Sequence, residues 1–443
     1  MFIYAEFHRI GAGTDGAGGD GVDRFEEIRA ARRELDAVVD EIRQLDGFED
    51  FLPEPTEEDV YRAAEEQPLV YLSAAERGGV ALVVHDHDVR QVDLPALTAE
   101  AVRTRARAHD DAHKAYAADR AGRLTQWEKS LETTTKWLWD DLMGPVCDAL
   151  RDCDRAVLVA GGLLGLLPLH AAWTEDTATP TGRRYALDDL VLSYVPNARS
   201  LTSARARAEV SVERLVVVVD PAGRPPLGSA EQEARTAAAG FPARTTVLRG
   251  PAAHAAAVRD ALAHADAAHF ACHGQAHLLT PLDSGLLLAG TDELRLRDLL
   301  ALRLTLRLAV LSACESYLPG TVLPDEVVSL PGGLLQAGVA GVVAAMWSLP
   351  DVPAALLMTD FYRRWRTEDG HPATALRDAQ VWLRDVPNGE RFALLQQALA
   401  AGEPWLPDDE TTEGLLLALE FQEDDEHSFA DLHSWAGFGH FGA

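Results

Sequence analysis

The chain has 443 residues, 47% hydrophobic and 25% charged, with a formal charge of −30 from 70 acidic and 40 basic side chains. Such a length holds two domains or one large decorated domain, and the composition is that of an ordinary globular chain. The acidic balance argues against sequence-independent binding to nucleic acid or to an anionic membrane, since both depend on basic patches; basic peptide segments would instead be attracted.

No apolar run approaches the roughly 20 residues that cross a bilayer. The opening MFIYAEFHRI lacks the basic-then-apolar pattern of a secretory signal, so a cytoplasmic location is expected. Cys147, Cys153, Cys272 and Cys314 form no CxxC and no zinc-finger spacing. They are expected to be free thiols, and neither a metal nor another cofactor is expected.

In chain order, residues 11–22 (GAGTDGAGGDGV) read as a glycine-rich acidic loop and Arg24 to Leu45 as a helix. The run 69–93 switches to short β-branched stretches around Arg77-Gly78-Gly79, as in a hairpin. Helices are predicted at 97–118 and 123–152, the second with an apolar stripe from Leu124 through Trp127, Leu131, Trp137 and Leu142 to Val146. Strands are predicted at 155–160 and 190–195. The intervening GGLLGLLPLH has no Lys-Ser/Thr and no GxGxxG, so it reads as a turn rather than a phosphate loop. Residues 205–213 read as a domain junction. Beyond it come strands at 214–219, 244–248, 266–271, 306–311 and 341–345 and a hairpin at 285–296. Helices alternate with them near 229–240, 252–264, 326–338, 352–368 and 372–384. Apolar strands alternating with amphipathic helices predict an α/β fold with a mostly parallel sheet covered on both faces. No internal repeat is visible.

In such sheets reacting groups collect at the carboxyl ends of strands. One predicted strand ends at His273-Gly274 and another at Ser312-Ala313-Cys314-Glu315, the histidine and cysteine lying 41 positions apart. An imidazole that takes the thiol proton makes the thiolate that attacks a carbonyl, and the same ring can return the proton to the leaving amine. Gly274 lets a backbone N–H approach a developing oxyanion, and the N–H of Cys314 is the natural second donor. Singly, each residue is more often structural; the pair carries the reading. Cys272, adjoining the base, alternates to the other strand face and is expected to be buried and inert. His264, His269 and His277 have no ligand spacing, and His269 reads as a core histidine.

The segments AAHFACHGQAH and LAVLSACES resemble the two catalytic blocks of the CHAT domain family, caspase-like peptidases related to separase. FLPEPTEEDVYRAAEEQPLVYLSAAERGGVALVV resembles the family's preamble, GGLLGLLPLHAAW and LVLSYVPNARSL its middle blocks, and VVVVDPAGRPPLGSAEQEA the opening of the catalytic half. DEVVSLPGGLLQAGVAGVVAAMWSLPDVPA resembles the segment after the nucleophile, and HSWAGFGHFG the C-terminal block. The resemblance covers roughly residues 25–443. It implies a caspase-like sheet flanked by helices, divided into N-terminal loop and helices (1–66), a degenerate pseudo-peptidase half (67–205) and an active half (206–443). It further implies a cysteine endopeptidase with Cys314 as nucleophile and His273 as base, acting on a protein substrate. Two positions depart from the family pattern. Glu315 follows the cysteine where a neutral polar residue is usual, and a carboxylate pointing into the site disfavours the thiolate. Asn197 replaces a common serine.

Asp325, Glu326 and Asp351 fall on loops expected to border the substrate pocket, where carboxylates would select arginine or lysine. Equally, each suits a helix N-terminus. Trp347 is placed either on the pocket wall or in the core. Because many relatives carry sensing repeats that are missing here, control by a separate regulatory protein, or by an N-terminal segment, is expected. The competing reading is a CHAT scaffold that binds partner proteins without turnover.

Overall fold

The computed structural model describes residues 56–443 except 210, 224–226, 242–243, 276, 278–279, 313–328, 368–369 and 408. Of the earlier residues it describes 33, 34, 37, 38, 40, 41 and 44. Met1–Asp59 and Val60–Ala443 are separate compact units. The glycine-rich loop and most of the helix predicted from Arg24 fall outside the described residues.

Strands β1 (Leu69–Ala75), β2 (Gly78–His85) and β3 (Asp88–Leu94) form an antiparallel meander, so the expected hairpin gains a third strand. Two helices follow, α1 (Ala99–Ala118) and α2 (Arg120–Leu138), each N-capped by a side chain, Thr98 and Asp119. The long helix predicted at 123–152 is interrupted. A π-turn at Trp139–Met143 precedes α3 (Gly144–Ala149), because Pro145 has no N–H to continue the ladder. Its stripe is nonetheless buried, with Trp127, Leu131, Leu142 and Val146 inaccessible to solvent. β4 (Arg155–Ala160) leads into a 3₁₀ turn over GGLLGL, then the small pair β5 (Trp173–Glu175) and β6 (Arg183–Tyr185), and β7 (Val191–Tyr194). Residues 205–208, where the expected junction begins, form the last turn of α4 (Ala198–Ala208). Asn197 caps that helix, its Oδ1 accepting from the Ser200 N–H at 2.9 Å, so the departure from serine is conservative in function.

The remaining elements are β8 (Leu215–Pro221), α5 (Ala230–Ala239), β9 (Thr245–Gly250), α6 (Ala255–Leu262) and β10 (Ala267–Ala271). A three-stranded flap of β11 (Gly274–Gln275), β12 (Gly285–Leu287) and β13 (Glu293–Arg295) comes next. Then follow β14 (Leu308–Leu311), α7 (Leu330–Ala337), β15 (Gly341–Ala345), α8 (Asp351–Thr367), α9 (Pro372–Asp385), α10 (Asn388–Ala401), α11 (Asp409–Glu420) and β16 (Phe438–Gly442).

Eleven strands make one sheet in the order β3-β2-β1-β4-β7-β16-β15-β14-β10-β8-β9. The set β1-β4-β7-β16 is parallel, the set β15-β14-β10-β8-β9 is parallel, and the two sets meet antiparallel at β15 and β16. The central strands β10, β14, β15 and β16 are buried along their whole length, as a sheet covered on both faces requires. β3, at one edge, exposes Asp88, Val89, Arg90, Gln91 and Asp93, a charged edge that discourages strand addition. This is the α/β, mostly parallel, caspase-like sheet the sequence led us to expect.

Candidate active site

β10 and β14 are parallel neighbours with Phe270 opposite Leu311, so both deliver their next residues to the same rim. Beyond β14, the Ser312 N–H and hydroxyl both donate to the Phe270 carbonyl at 3.2 Å, which fastens one strand end to the other. Beyond β10, Cys272 is fully buried and its thiol is pushed up to about 12 by burial, so it is inert at neutral pH. His273 follows, half-buried. Its carbonyl accepts from the Leu287 N–H at 2.8 Å, and Gly274 pairs with Leu286 in the flap, which fixes the backbone on either side of the imidazole.

His273 and Ser312 line one cleft of about 290 Å³ together with Trp347, Asp351, Glu233 and Ser229. Cys314 lies two residues past Ser312, outside the described residues, as do Asp325 and Glu326. Asp351 is both the first residue of α8 and part of the cleft wall. Gly228 makes room for it, since a methyl group there would overlap the carboxylate. Trp347 likewise serves both core and cleft. It is 1% exposed, its indole N–H donates to the His433 carbonyl at 3.2 Å, and its ring meets Trp127 edge-on.

Glu233 is a cleft residue that sequence reasoning missed. It is 4% exposed. The Ser229 hydroxyl donates to its Oε1 at 2.7 Å, while Oε2 has no hydrogen-bond partner and lies 3.7 Å from His269 Nε2. On its other side His269 hydrogen-bonds the Tyr362 hydroxyl through Nδ1 at 2.9 Å. Burial first, and the Glu233 charge second, raise the Tyr362 phenol well above its usual range, so it stays protonated. His269 is therefore a core histidine with one nitrogen bonded and the other facing a carboxylate. The signal was present in the sequence. Glu233 shares the buried helical stripe Ala230, Glu233, Ala234, Ala237, where a charge is out of place unless it has a task.

His264 is exposed just beyond α6, and the His277 N–H donates to the Ser284 hydroxyl. Among the described residues, the one trio of metal-ligating type, Glu128, Asp431 and His433, lies outside the cleft lining. Glu128 Oε1 and His433 Nδ1 are 3.3 Å apart there.

A sequence model of the CHAT domain matches residues 132–443. The chain belongs to the CHAT domain family. Among solved structures, this CHAT chain is similar to Saccharomyces cerevisiae separase in a separase–securin complex, with a TM-score of 0.53 at 9% identity over 73% of this chain and 29% of that one. A second structure of that complex gives 0.54 at 8% identity. The Arg-specific cysteine proteinase gingipain R matches with a TM-score of 0.36 at 11% identity over 71% of this chain and 67% of that one. The likeness to separase is one of fold, and the CHAT chain spans less than a third of that protein's length. No curated protein matches the chain.

Proposed function

We propose that the chain is a cysteine endopeptidase in which Cys314 is the nucleophile and His273 the general base. The observation that carries this reading is the pairing of β10 with β14, which brings His273 and Ser312 to one cleft, two residues short of the cysteine. His273 takes the thiol proton, and the thiolate adds to the scissile carbonyl. The oxyanion is held by the N–H groups of Gly274 and Cys314, each such donor worth about 3–4 kcal/mol. As the intermediate collapses, the imidazolium gives its proton to the leaving amine. Water then attacks the thioester, losing its proton to His273, and the acid leaves with the thiol restored.

The cleft carries two carboxylates, Glu233 and Asp351, which supports a preference for arginine or lysine beside the scissile bond; Asp325 and Glu326 belong to the same proposed pocket. The related fold solved in complex with securin supports control by a separate protein. Full-rate cleavage by the isolated chain would remove that part of the proposal.

Peptide reporters and an arginyl acyloxymethyl ketone test the chemistry. Cys314→Ala should abolish both cleavage and covalent labelling. His273→Ala should lower the rate by about 10²–10⁴-fold. Undiminished turnover in either variant overturns the assignment.

A further inference from the structure

One cavity is larger than the cleft. It has a volume of about 690 Å³ and lies along α1, between that helix and the 3₁₀ turn after β4, reaching Met346 at its far side. This volume falls within the range that holds small organic ligands. From Val102 to His113 the helix lines it over about 16 Å, so an occupant would be elongated.

Its chemistry has two parts. Val102, Ala106, Leu163, Leu164 and Met346 give it an apolar wall. Arg103 and Arg107, one helical turn apart, lie on its exposed side. Arg103 is paired with Glu100, and Asp110 with Lys114; Arg107 has no ion-pair partner among the described residues. Deeper in, His109 is 8% exposed and its Nδ1 has no hydrogen-bond partner. A buried polar atom without a partner in a roomy cavity marks a place for a ligand atom. Burial, with the neighbouring His113, lowers the His109 pKa to about 3, so the ring offers a neutral hydrogen bond and the charge at this site comes from arginine.

We propose that this cavity is a second ligand site, specific for a linear apolar chain ending in one anionic group. The chain would lie on Val102, Leu164 and Met346, and the anion would pair with Arg107. Occupancy would be felt in the cleft. Met346 and Trp347 are consecutive, one lining each space, and the Trp347 ring touches both His109 and Trp127. That last consequence rests on the peptidase reading; binding itself does not.

Titrating the full chain with 8-anilinonaphthalene-1-sulfonate tests the site without any reference to proteolysis. One dye per chain is expected, displaced by decanoate and not by decyltrimethylammonium. Affinity should fall about tenfold or more in Arg107→Glu, an exposed position where the fold is safe. Leu163→Trp, which puts an indole into the cavity, should block the dye, and Cys314→Ala should bind it normally. Equal displacement by the cationic and anionic chains, or dye binding indifferent to Arg107→Glu, overturns the proposal. If decanoate alters reporter cleavage by the unmodified chain but not by Arg107→Glu, the link to the cleft holds. An unchanged rate at saturating decanoate overturns that link and leaves the peptidase assignment to its own test.

Discussion

Glu233 occupies a position where a helix packed on a sheet normally carries an apolar side chain, and only one of its oxygens is bonded. Keeping a carboxylate there costs stability unless a cation completes it. Glu233→Gln preserves the shape and removes the charge. It should lower kcat/KM for reporters with arginine or lysine before the scissile bond by about 10–100-fold, and change alanine reporters little. An unaltered arginine-to-alanine ratio would exclude the residue from the pocket. The thiols give a second expectation. Burial, with a smaller contribution from Asp189, pushes Cys147 up to about 12, and burial alone does the same for Cys272. Native-state alkylation at pH 7.5 should therefore spare both, as mass spectrometry can check. His273 was legible in the sequence because glycine follows it at the end of an apolar strand. Glu233 was overlooked despite its place in an apolar stripe, because a charge in a short alanine-rich helix reads by default as part of the solvent face.

At the level of elements, β10, one of the two strands that carry the rim, is fastened at its opposite end to the start of its other neighbour, β8. Asp266, just before β10, accepts from the backbone N–H groups of Glu213 and Arg214 at 3.1 and 2.9 Å. It also pairs with the Arg214 guanidinium at 2.7 Å. Burial raises the carboxyl pKa, but the Arg214 hydrogen bond and the two backbone donors outweigh it and hold the group below its usual range. A depressed carboxyl contributes stability that is complete above its unfolded pKa and is lost as pH falls through the folded one. Asp266→Asn should thus lower Tm at pH 7, and its deficit relative to the parent should shrink below about pH 4. A deficit independent of pH would remove the ionic account. The strands at 155–160 and 341–345 were readable to the residue, since continuous apolar runs between turn signals leave few alternatives. The break at Trp139–Met143 was less visible, because a proline near a helix end is equally compatible with a terminus.

Across the whole molecule, one strand joins two oppositely directed half-sheets. β16 is Phe-Gly-His-Phe-Gly, too rich in glycine to read as a strand, yet it is buried throughout and held by Gln380, whose amide donates to the carbonyls of Trp435 and Phe438. Only the resemblance to a family block, not its own pattern, marked that segment as important. Phe438 is 2% exposed; Phe438→Ala should cost about 3–5 kcal/mol, and hydrogen exchange should show β7 and β15 loosening together. Loss of protection in one half alone would contradict a shared sheet. The position of β16 also governs the order of assembly on the ribosome. Both strands that flank it are synthesised first, so each half-sheet waits with an unpaired apolar edge until residues 438–442 emerge. Edges of that kind invite pairing with other chains, and the nascent protein should depend on chaperone holding up to the moment the central gap is filled.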